Sequence, residues 1–249
     1  MSWHKFSFLF GLIALLLGCQ VDTGRETAVS PVSAEPESVT YHEMAVADGE
    51  ETIEYALVLP PDFDPDQTYP ILLALPPGPQ TRPMVDNGLR LYWQPGAFAN
   101  GWIVVSPVAP GGIVFFRGSE DFLPEFLDNI AAMFPPEGGK FHVAGISNGG
   151  ISAFRAAINM PDRFHSLVAV PGVPANKTDF DQLDLLTDIP IAMHVGGNDT
   201  GWLERMEEAE AELDRLGGNA SLIVAAGEGH VIQGLSGGAL LFAFMESAR

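Results

Sequence analysis

The stretch Gly145-Ile146-Ser147-Asn148-Gly149 places one serine between two glycines, where an apolar run gives way to a small-residue, helical segment. A serine on a tight strand-to-helix turn holds its hydroxyl above the sheet, and flanking glycines leave room for that turn. We therefore predict that Ser147 is a nucleophile, with Gly145 and Gly149 forming its elbow. The alternative is a tight turn that needs glycine for packing alone.

The same spacing recurs at residues 234–238, around Ser236. This serine follows no predicted strand, lies near the start of the last predicted helix, and has no histidine after it. Because a serine is a weak nucleophile until a base takes its proton, we do not expect Ser236 to react.

A histidine base should follow the nucleophile in chain order, on a loop that reaches back over the sheet. His230 lies in the glycine-rich segment GEGHVIQ, just after the last predicted strand, and is our predicted base. His165 opens an apolar strand and His194 lies in the middle of one, so a structural role is predicted for both. The alternative for His230 is a solvent-exposed loop histidine.

The imidazole of such a base needs a carboxylate that holds its tautomer. Asp199 follows the apolar run PIAMHVGG, at the end of the strand before last, and is our predicted acid. The alternative role for Asp199 is the N-cap of the next helix. Glu228 is a rival but lies only two residues from His230, and Asp188 precedes the strand instead of following it.

An anionic tetrahedral intermediate also needs N–H donors. One should be the N–H of Asn148, directly after the nucleophile, and the other should come from the loop LLALPPGPQTRP. Prolines have no N–H, so Gly78 is the only donor among residues 76–79, with Gln80 next. We predict an oxyanion hole made by Gly78 and Asn148.

Apolar runs and helical patterns alternate along the chain, and uninterrupted apolar strands are typical of a parallel sheet covered on both faces. We predict an α/β fold with a mostly parallel sheet of about eight strands and helices on both faces. The strands are predicted at 39–48, 52–60, 71–75, 102–107, 140–145, 165–172, 190–197 and 221–227, the first two as an antiparallel pair and the last three as buried strands.

Helical patterns lie between these strands. Pro95 is expected to break the weak helix at 88–101, and the closing helix is expected to begin near residue 231. The other predicted helices cover 118–135, 202–218 and a segment that starts at residue 148.

The chain has 249 residues, of which 47% are hydrophobic, enough for one core. Twelve Lys and Arg against 32 Asp and Glu give a net charge of −20, which repels phosphate backbones, so we expect no nucleic-acid partner. No zinc-protease, phosphate-loop or clustered metal-ligand motif is present, so we expect no metal or cofactor. Nothing in the sequence predicts a protein partner.

The N-terminus has the features of a targeting segment. Lys5 precedes a 12-residue apolar run at 6–17, which is too short to span a bilayer. LLGC at 16–19 resembles the bacterial lipobox, in which the cysteine carries lipid. We predict a signal peptide at 1–18, a lipidated Cys19 with a polar tether at 19–37, and one domain at 38–249. The predicted location is the cell envelope, on the outer membrane of a two-membrane cell, and the alternative is ordinary secretion.

With these features the chain resembles the α/β-hydrolases. Within them it is similar to the polyhydroxybutyrate depolymerase and feruloyl esterase-like group and to the phospholipase/carboxylesterase group, through residues 55–75, the SNGG elbow within 143–164, and the later GND and EGH segments. The family usually has His-Gly where this chain has Pro76-Pro77, which leaves Gly78 in the matching donor position. Residues 171–189 are the only insertion at the usual cap site, so no sizeable cap domain is expected.

The resemblance implies a serine esterase that cleaves carboxylic esters, either small molecules or polymer ends, through an acyl-enzyme. The triad of Ser147, Asp199 and His230 is equally compatible with a prolyl-oligopeptidase-type peptidase or an acyltransferase. A lipoprotein that binds ligands and has lost activity is the third hypothesis, which the Pro76-Pro77 departure favours slightly and the intact Ser–Asp–His order counts against.

Overall fold

The computed structural model describes residues 39–249, and the predicted signal peptide, Cys19 and tether lie outside this range. The described residues form one eight-stranded sheet. Its strands are β1 (Val39–Val46), β2 (Glu51–Val58), β3 (Ile71–Leu75), β4 (Ile103–Pro107), β5 (Phe141–Gly145), β6 (Phe164–Ala169), β7 (Ile191–Gly196) and β8 (Ala220–Ala225).

The strands lie in the order β1-β2-β4-β3-β5-β6-β7-β8. β1 pairs antiparallel with β2, and β2 pairs antiparallel with β4, while all the pairs from β4 through to β8 are parallel. The chain therefore leaves β3 on one side to form β4 and returns to β3 on the other side as β5. Loops after β3 and β5 diverge at this switch point, where open α/β sheets bind their ligands.

Helices cover both faces of the sheet, because alternate residues of each buried strand enter two different cores. Leu73, Val105 and Val143 pack in one core, and their neighbours Leu72 and Val104 pack in the other. The helices are α1 (Arg82–Gly88), α2 (Gln94–Asn100), α3 (Leu123–Met133), α4 (Asn148–Asn159), α5 (Lys177–Phe180), α6 (Thr200–Leu216) and α7 (Ala239–Ser247). The first core includes residues of α3, α4 and α6, and the second includes residues of α1, α2 and α7.

The predicted break at Pro95 is wrong. A π-helical segment, Leu89–Trp93, joins α1 to α2, so the chain is helical from residue 82 to residue 100. Pro95 is the second residue of α2, which directly follows the π-helical segment. The wider π turn changes the hydrogen-bond register just before the proline, and this lets the helix continue.

Two predictions at the C-terminal end of the chain are also wrong. β8 is an edge strand and not a buried one, since Ile223 and Val224 are exposed. Glu210 of α6 covers part of this edge by accepting a hydrogen bond from the Leu222 N–H at 2.9 Å, which is one way in which proteins protect open edges. The last helix begins at Ala239, eight residues later than expected. No helix within residues 39–249 is long and apolar enough to cross a membrane.

Candidate active site

Ser147 lies directly after β5, at the turn into α4, as the sequence predicts. Its backbone has φ of +57° and ψ of −116°, a conformation that non-glycine residues rarely adopt. The Ser147 N–H donates to the carbonyl of Pro171 at 2.9 Å, in the loop that follows β6. The strained turn is therefore fixed from the neighbouring strand, and the serine is held at the C-terminal edge of the sheet.

The glycines of the elbow are required by close backbone packing. A Cβ at Gly145 would lie 2.0 Å from the Gly149 carbonyl oxygen, and a Cβ at Gly149 would lie 2.0 Å from the Leu75 carbonyl oxygen. A Cβ at Gly150 would lie 2.2 Å from the Pro171 carbonyl oxygen. Any side chain at these positions would push α4 away from β3, β5 and the loop after β6.

His230 reaches Ser147 across the edge of the sheet from the loop after β8. Its Nε2 lies 2.9 Å from Ser147 Oγ, and its Nδ1 lies 2.6 Å from Asp199 Oδ2. The His230 side chain is 43% exposed and that of Asp199 is 18% exposed, so solvent reaches the histidine while the carboxylate is more enclosed. The structure thus brings together the three predicted residues in one hydrogen-bonded chain.

Asp199 occupies the N-cap position of α6, which was the alternative role predicted for it. Its side chain makes no capping hydrogen bond, and its backbone carbonyl accepts from the N–H groups of Trp202 and Leu203 instead. The carboxylate is therefore free to bond His230. Its rival Asp188 is exposed and lies before β7, near the N-terminal end of that strand and so at the end of the sheet opposite to Ser147.

Glu228, the other rival, stabilises the histidine loop. Its carboxylate accepts hydrogen bonds from the backbone N–H groups of Gln233 and Gly234, and its own carbonyl accepts from the Asn198 N–H at 2.8 Å. Tyr92 holds the far side of the loop, since its hydroxyl donates to the Ile232 carbonyl at 3.0 Å and accepts from the Ile232 N–H. The loop that carries His230 is thereby tied on both sides.

In the proline-rich loop after β3, the backbone N–H of Gly78 points away from the turn that the loop forms. The Gln80 N–H donates to the Pro77 carbonyl at 3.1 Å, so Gln80 cannot also serve as an oxyanion donor. In a trans peptide the N–H points opposite to the carbonyl, so the Gly78 N–H points away from that turn. Gly78 has φ of +57°, which favours glycine, and its carbonyl accepts from Asn148 Nδ2 at 2.9 Å.

Within residues 39–249, neither the Gly78 N–H nor the Asn148 N–H donates to a protein acceptor. Asn148 also connects the two parts of the predicted hole, because its side chain holds the loop that carries Gly78. Two unpaired donors at the switch point are what an anionic oxygen above Ser147 requires.

The buried side chain of Gln80 is a structural element that the sequence analysis missed. Its Nε2 donates to the Pro76 carbonyl at 3.1 Å and to Ser152 Oγ of α4 at 2.9 Å, and its Oε1 accepts from the Phe115 N–H at 2.7 Å. Gln80 is fully buried and has φ of +55°. One amide therefore links the donor loop, the nucleophile helix and the loop before α3. The only sequence signal was a polar residue in an otherwise proline-rich loop.

A second missed feature is a buried ion-pair cluster behind the site. Arg155 of α4 contacts Glu120 at 2.5 Å and Asp179 of α5 at 2.8 Å, and all three side chains are less than 20% exposed. Asp179 also accepts from the Ala175 N–H, and Glu120 from the Gly118 N–H. A single guanidinium thus fixes the two loops that flank α4.

The remaining histidines lie where the sequence analysis expected them. His194 is buried within β7, and burial lowers its pKa from 6.5 to about 4. Its Nε2 has no hydrogen-bond partner among the described residues. His165 lies in β6 and contacts the Glu137 carbonyl at 3.2 Å. Ser236 lies just before α7, outside the hydrogen-bonded chain of Ser147.

The aromatic residues Trp93 and Phe115 are fully buried in the cores, whereas Trp202 is half-buried with its ring 5.7 Å from the His230 ring. No group of three or more His, Cys, Asp or Glu side chains in the described part of the chain is arranged to hold a metal ion.

No protein-family model and no curated protein matches this chain. Solved structures do match. A thermostable esterase superposes with a TM-score of 0.67 at 16% identity, over 86% of this chain and 62% of its own. A ferulic acid esterase gives a TM-score of 0.64 at 19% identity, over 85% of this chain and 97% of its own. Porphyromonas gingivalis dipeptidyl peptidase 4 gives 0.62 at 14% identity, over 84% of this chain and 35% of its own.

This chain therefore spans less than two thirds of the thermostable esterase and about one third of the peptidase, but nearly the whole length of the ferulic acid esterase. At identities of 14–19%, these matches show the fold and do not assign an activity or a substrate. The strand order, the elbow after β5 and these neighbours agree: the chain has the α/β-hydrolase fold.

Proposed function

We propose that this protein is a serine hydrolase that cleaves carboxylic esters through an acyl-enzyme. The observation that carries the proposal is the hydrogen-bonded chain from Asp199 through His230 to Ser147, on a glycine-lined elbow. Nucleophile, base and orienting carboxylate are the three parts that an activated serine requires.

In the proposed mechanism, Ser147 Oγ attacks the ester carbonyl carbon while His230 Nε2 takes the hydroxyl proton. The distance of 2.9 Å between these two atoms allows direct transfer. Asp199 accepts a hydrogen bond from His230 Nδ1, which keeps Nε2 available as the base and stabilises the imidazolium that forms.

The carbonyl oxygen becomes anionic as the tetrahedral intermediate forms, and the N–H groups of Gly78 and Asn148 are the proposed donors to it. Imidazolium His230 then protonates the leaving alcohol as the carbonyl–oxygen bond breaks. Water attacks the acyl-enzyme in the second half of the cycle, with His230 again as base, and this releases the acid and restores Ser147.

The fold shared with a thermostable esterase and a ferulic acid esterase supports ester cleavage over other acyl transfers. A peptidase of the prolyl-oligopeptidase type is the second candidate, because a dipeptidyl peptidase shares the fold over 84% of this chain. An acyltransferase and an inactive ligand-binding lipoprotein are the remaining alternatives. We also propose that Cys19 anchors the protein outside the cytoplasm, a proposal that depends on the sequence alone.

The test is to treat the purified full-length chain with a fluorophosphonate probe and to map the labelled peptide by mass spectrometry. We expect labelling at Ser147 that is absent from Ser147→Ala and retained in the matched control Ser236→Ala. A folded wild-type chain that takes no label would overturn the proposal and favour the binding lipoprotein. A panel of acyl esters and dipeptide amides then separates esterase from peptidase.

A further inference from the structure

A cleft of about 450 Å³ opens at the C-terminal edge of the sheet, between residues 173–181 and the first turns of α6. The segment 173–181 begins two residues after Pro171, whose carbonyl holds the Ser147 N–H. The side chains of α6 that line the cleft are Arg205 and Glu208. The cleft is thus bounded by the two segments that directly follow β6 and β7 at the candidate site.

A short series of contacts connects this cleft to the nucleophile. Ser147 Oγ lies 2.9 Å from His230, and the ring of Trp202 lies 5.7 Å from the His230 ring. The guanidinium carbon of Arg205 lies 5.4 Å from the centre of the Trp202 ring. The Trp202 ring therefore lies within 6 Å of both the His230 ring and the Arg205 guanidinium.

Arg205 differs from the other cation of the cleft in its charge partners. Lys177 forms an ion pair with Asp181 at 2.7 Å. Within residues 39–249, Arg205 has no carboxylate within ion-pair distance. Glu208 lies three residues further along α6 and also lines the cleft, but among the described residues it is not within ion-pair distance of Arg205. An unpaired guanidinium offers a planar set of donors that matches a carboxylate.

The wall opposite α6 suits the body of an organic ligand, because Val173, Pro174 and Phe180 present apolar surface there. The half-buried Trp202 ring is not part of this lining but lies beside it, 5.4 Å from the guanidinium carbon of Arg205. The other lining residues apart from Ala175 are polar or charged, so the cleft combines one apolar wall with polar groups, as small-molecule sites do.

Proton transfer decides which part of the substrate would enter the cleft. His230 Nε2 must reach the leaving oxygen to protonate it, so the leaving group departs on the side of the histidine. Trp202 and the cleft lie on that side, whereas Gly78 lies on the loop after β3. Ser147 holds the acyl group until water cleaves the acyl-enzyme. Only the leaving group therefore needs a binding site of its own beyond His230.

We propose that the cleft is a leaving-group subsite for esters whose alcohol or phenol portion carries a carboxylate, with Trp202 packing against its body and Arg205 binding its charge. The inference rests on the proposed function, since it needs an ester bond at Ser147. It narrows the substrate class to anionic esters and makes Arg205 a specificity residue that takes no part in the chemical step.

The test compares two acetyl esters with the full-length chain: that of 3-(4-hydroxyphenyl)propanoate and that of the corresponding amide. The methylene groups insulate the phenol from the charge, so the two leaving groups have similar intrinsic reactivity. We expect wild-type kcat/KM to favour the anionic ester by about fivefold, the scale of a partly exposed ion pair. Arg205→Gln should bring the ratio close to one, and Arg205→Lys should keep part of it.

The matched control is Arg215→Gln, on the same helix, where the guanidinium is already paired with Glu212. It should leave the wild-type ratio in place. Hydrolysis of both esters with equal kcat/KM would overturn this inference and leave the proposed function standing, as would a preference that survives Arg205→Gln. Failure to cleave either ester, together with no fluorophosphonate labelling of Ser147, would overturn both.

Discussion

Two serine–histidine pairs lie in different regions of the sheet and have nearly the same geometry. At the C-terminal edge, His230 Nε2 lies 2.9 Å from Ser147 Oγ, while in the interior His142 Nδ1 of β5 lies 2.7 Å from Ser166 Oγ of β6. The interior pair is almost fully buried, at 1% and 0% exposed. The hydrogen-bond distance alone therefore does not distinguish a candidate catalytic pair from a structural one.

The pairs differ in what surrounds them. A carboxylate holds the second nitrogen of His230, whereas the neighbours of the His142 ring are Trp102 at 4.7 Å and His165 at 5.2 Å. Burial, with the nearby charges of His165 and Arg249, lowers the pKa of His142 to about 3. Such a histidine does not hold a proton at neutral pH, so it cannot form the imidazolium that a general base becomes when it accepts the serine proton.

The backbone differs as well. Ser147 stands on a strained turn beside two N–H groups that have no acceptor within residues 39–249, while Ser166 lies within a strand whose backbone is paired on both sides. Exposure, a third hydrogen-bond partner and nearby N–H donors therefore occur together at the strand end and its loops, and not at the interior pair.

The most direct test of the difference between the two pairs is to replace each serine in turn. Ser147→Ala should lower kcat for ester hydrolysis by about 10⁶-fold, because the nucleophile is lost. Ser166→Ala should leave kcat within a few-fold and instead reduce the free energy of unfolding by about 1–3 kcal/mol, the cost of a buried hydrogen bond. Steady-state kinetics and urea unfolding measure the two effects. Equal losses of activity in the two variants would contradict the assignment.

Removing the carboxylate makes His230 resemble His142 more closely. Asp199→Asn should lower kcat by about 10⁴-fold with the fold intact, because an amide can favour the wrong tautomer of the histidine. The matched control is Asp188→Asn, an exposed carboxylate before β7, which should leave kcat unchanged. Both are measured with one chromogenic ester and checked by circular dichroism. A loss below tenfold in Asp199→Asn would mean that another group orients His230.

The donor loop is the third difference, and Gln80 tests it. Gln80→Ala should lower kcat by about 100-fold with little change in KM, because the Gly78 N–H would lose the fixed position that an oxyanion donor needs. Gln67→Ala, an exposed glutamine bonded to Asp64, is the control. A variant whose KM rises while kcat is unchanged would show that Gln80 serves binding instead of donor placement.

The buried pair predicts an effect on stability that depends on pH. The pKa of His142 is about 3 in the folded chain and 6.5 in the unfolded one, so its contribution is complete above pH 6.5 and is lost as pH falls towards 3. His142→Asn should be less stable at neutral pH but should lose less stability between pH 6.5 and 3. Urea unfolding at several pH values measures this slope. An unchanged slope would mean that His142 does not carry the effect.

Much of the fold followed from local patterns. Uninterrupted apolar runs with helical segments between them predicted the sheet and its strands, because residues within one element share a short periodicity. Where β8 and the π-helical segment before Pro95 departed from expectation, the cause was tertiary. β8 is as apolar as its neighbours. It lies at the edge because no further strand of the described residues pairs with its outer side.

The sequence by itself determined the elbow, selected Ser147, Asp199 and His230 as the candidate residues, and placed each of them after a strand. Chain order and glycine spacing carry that information, because a strand-to-helix turn is built from consecutive residues. Only the tertiary structure decided that Gln80 links three segments, that Glu228 stabilises the histidine loop and that Arg205 borders a cleft. These roles depend on side chains from elements that are far apart in sequence, and no local periodicity encodes which of them meet.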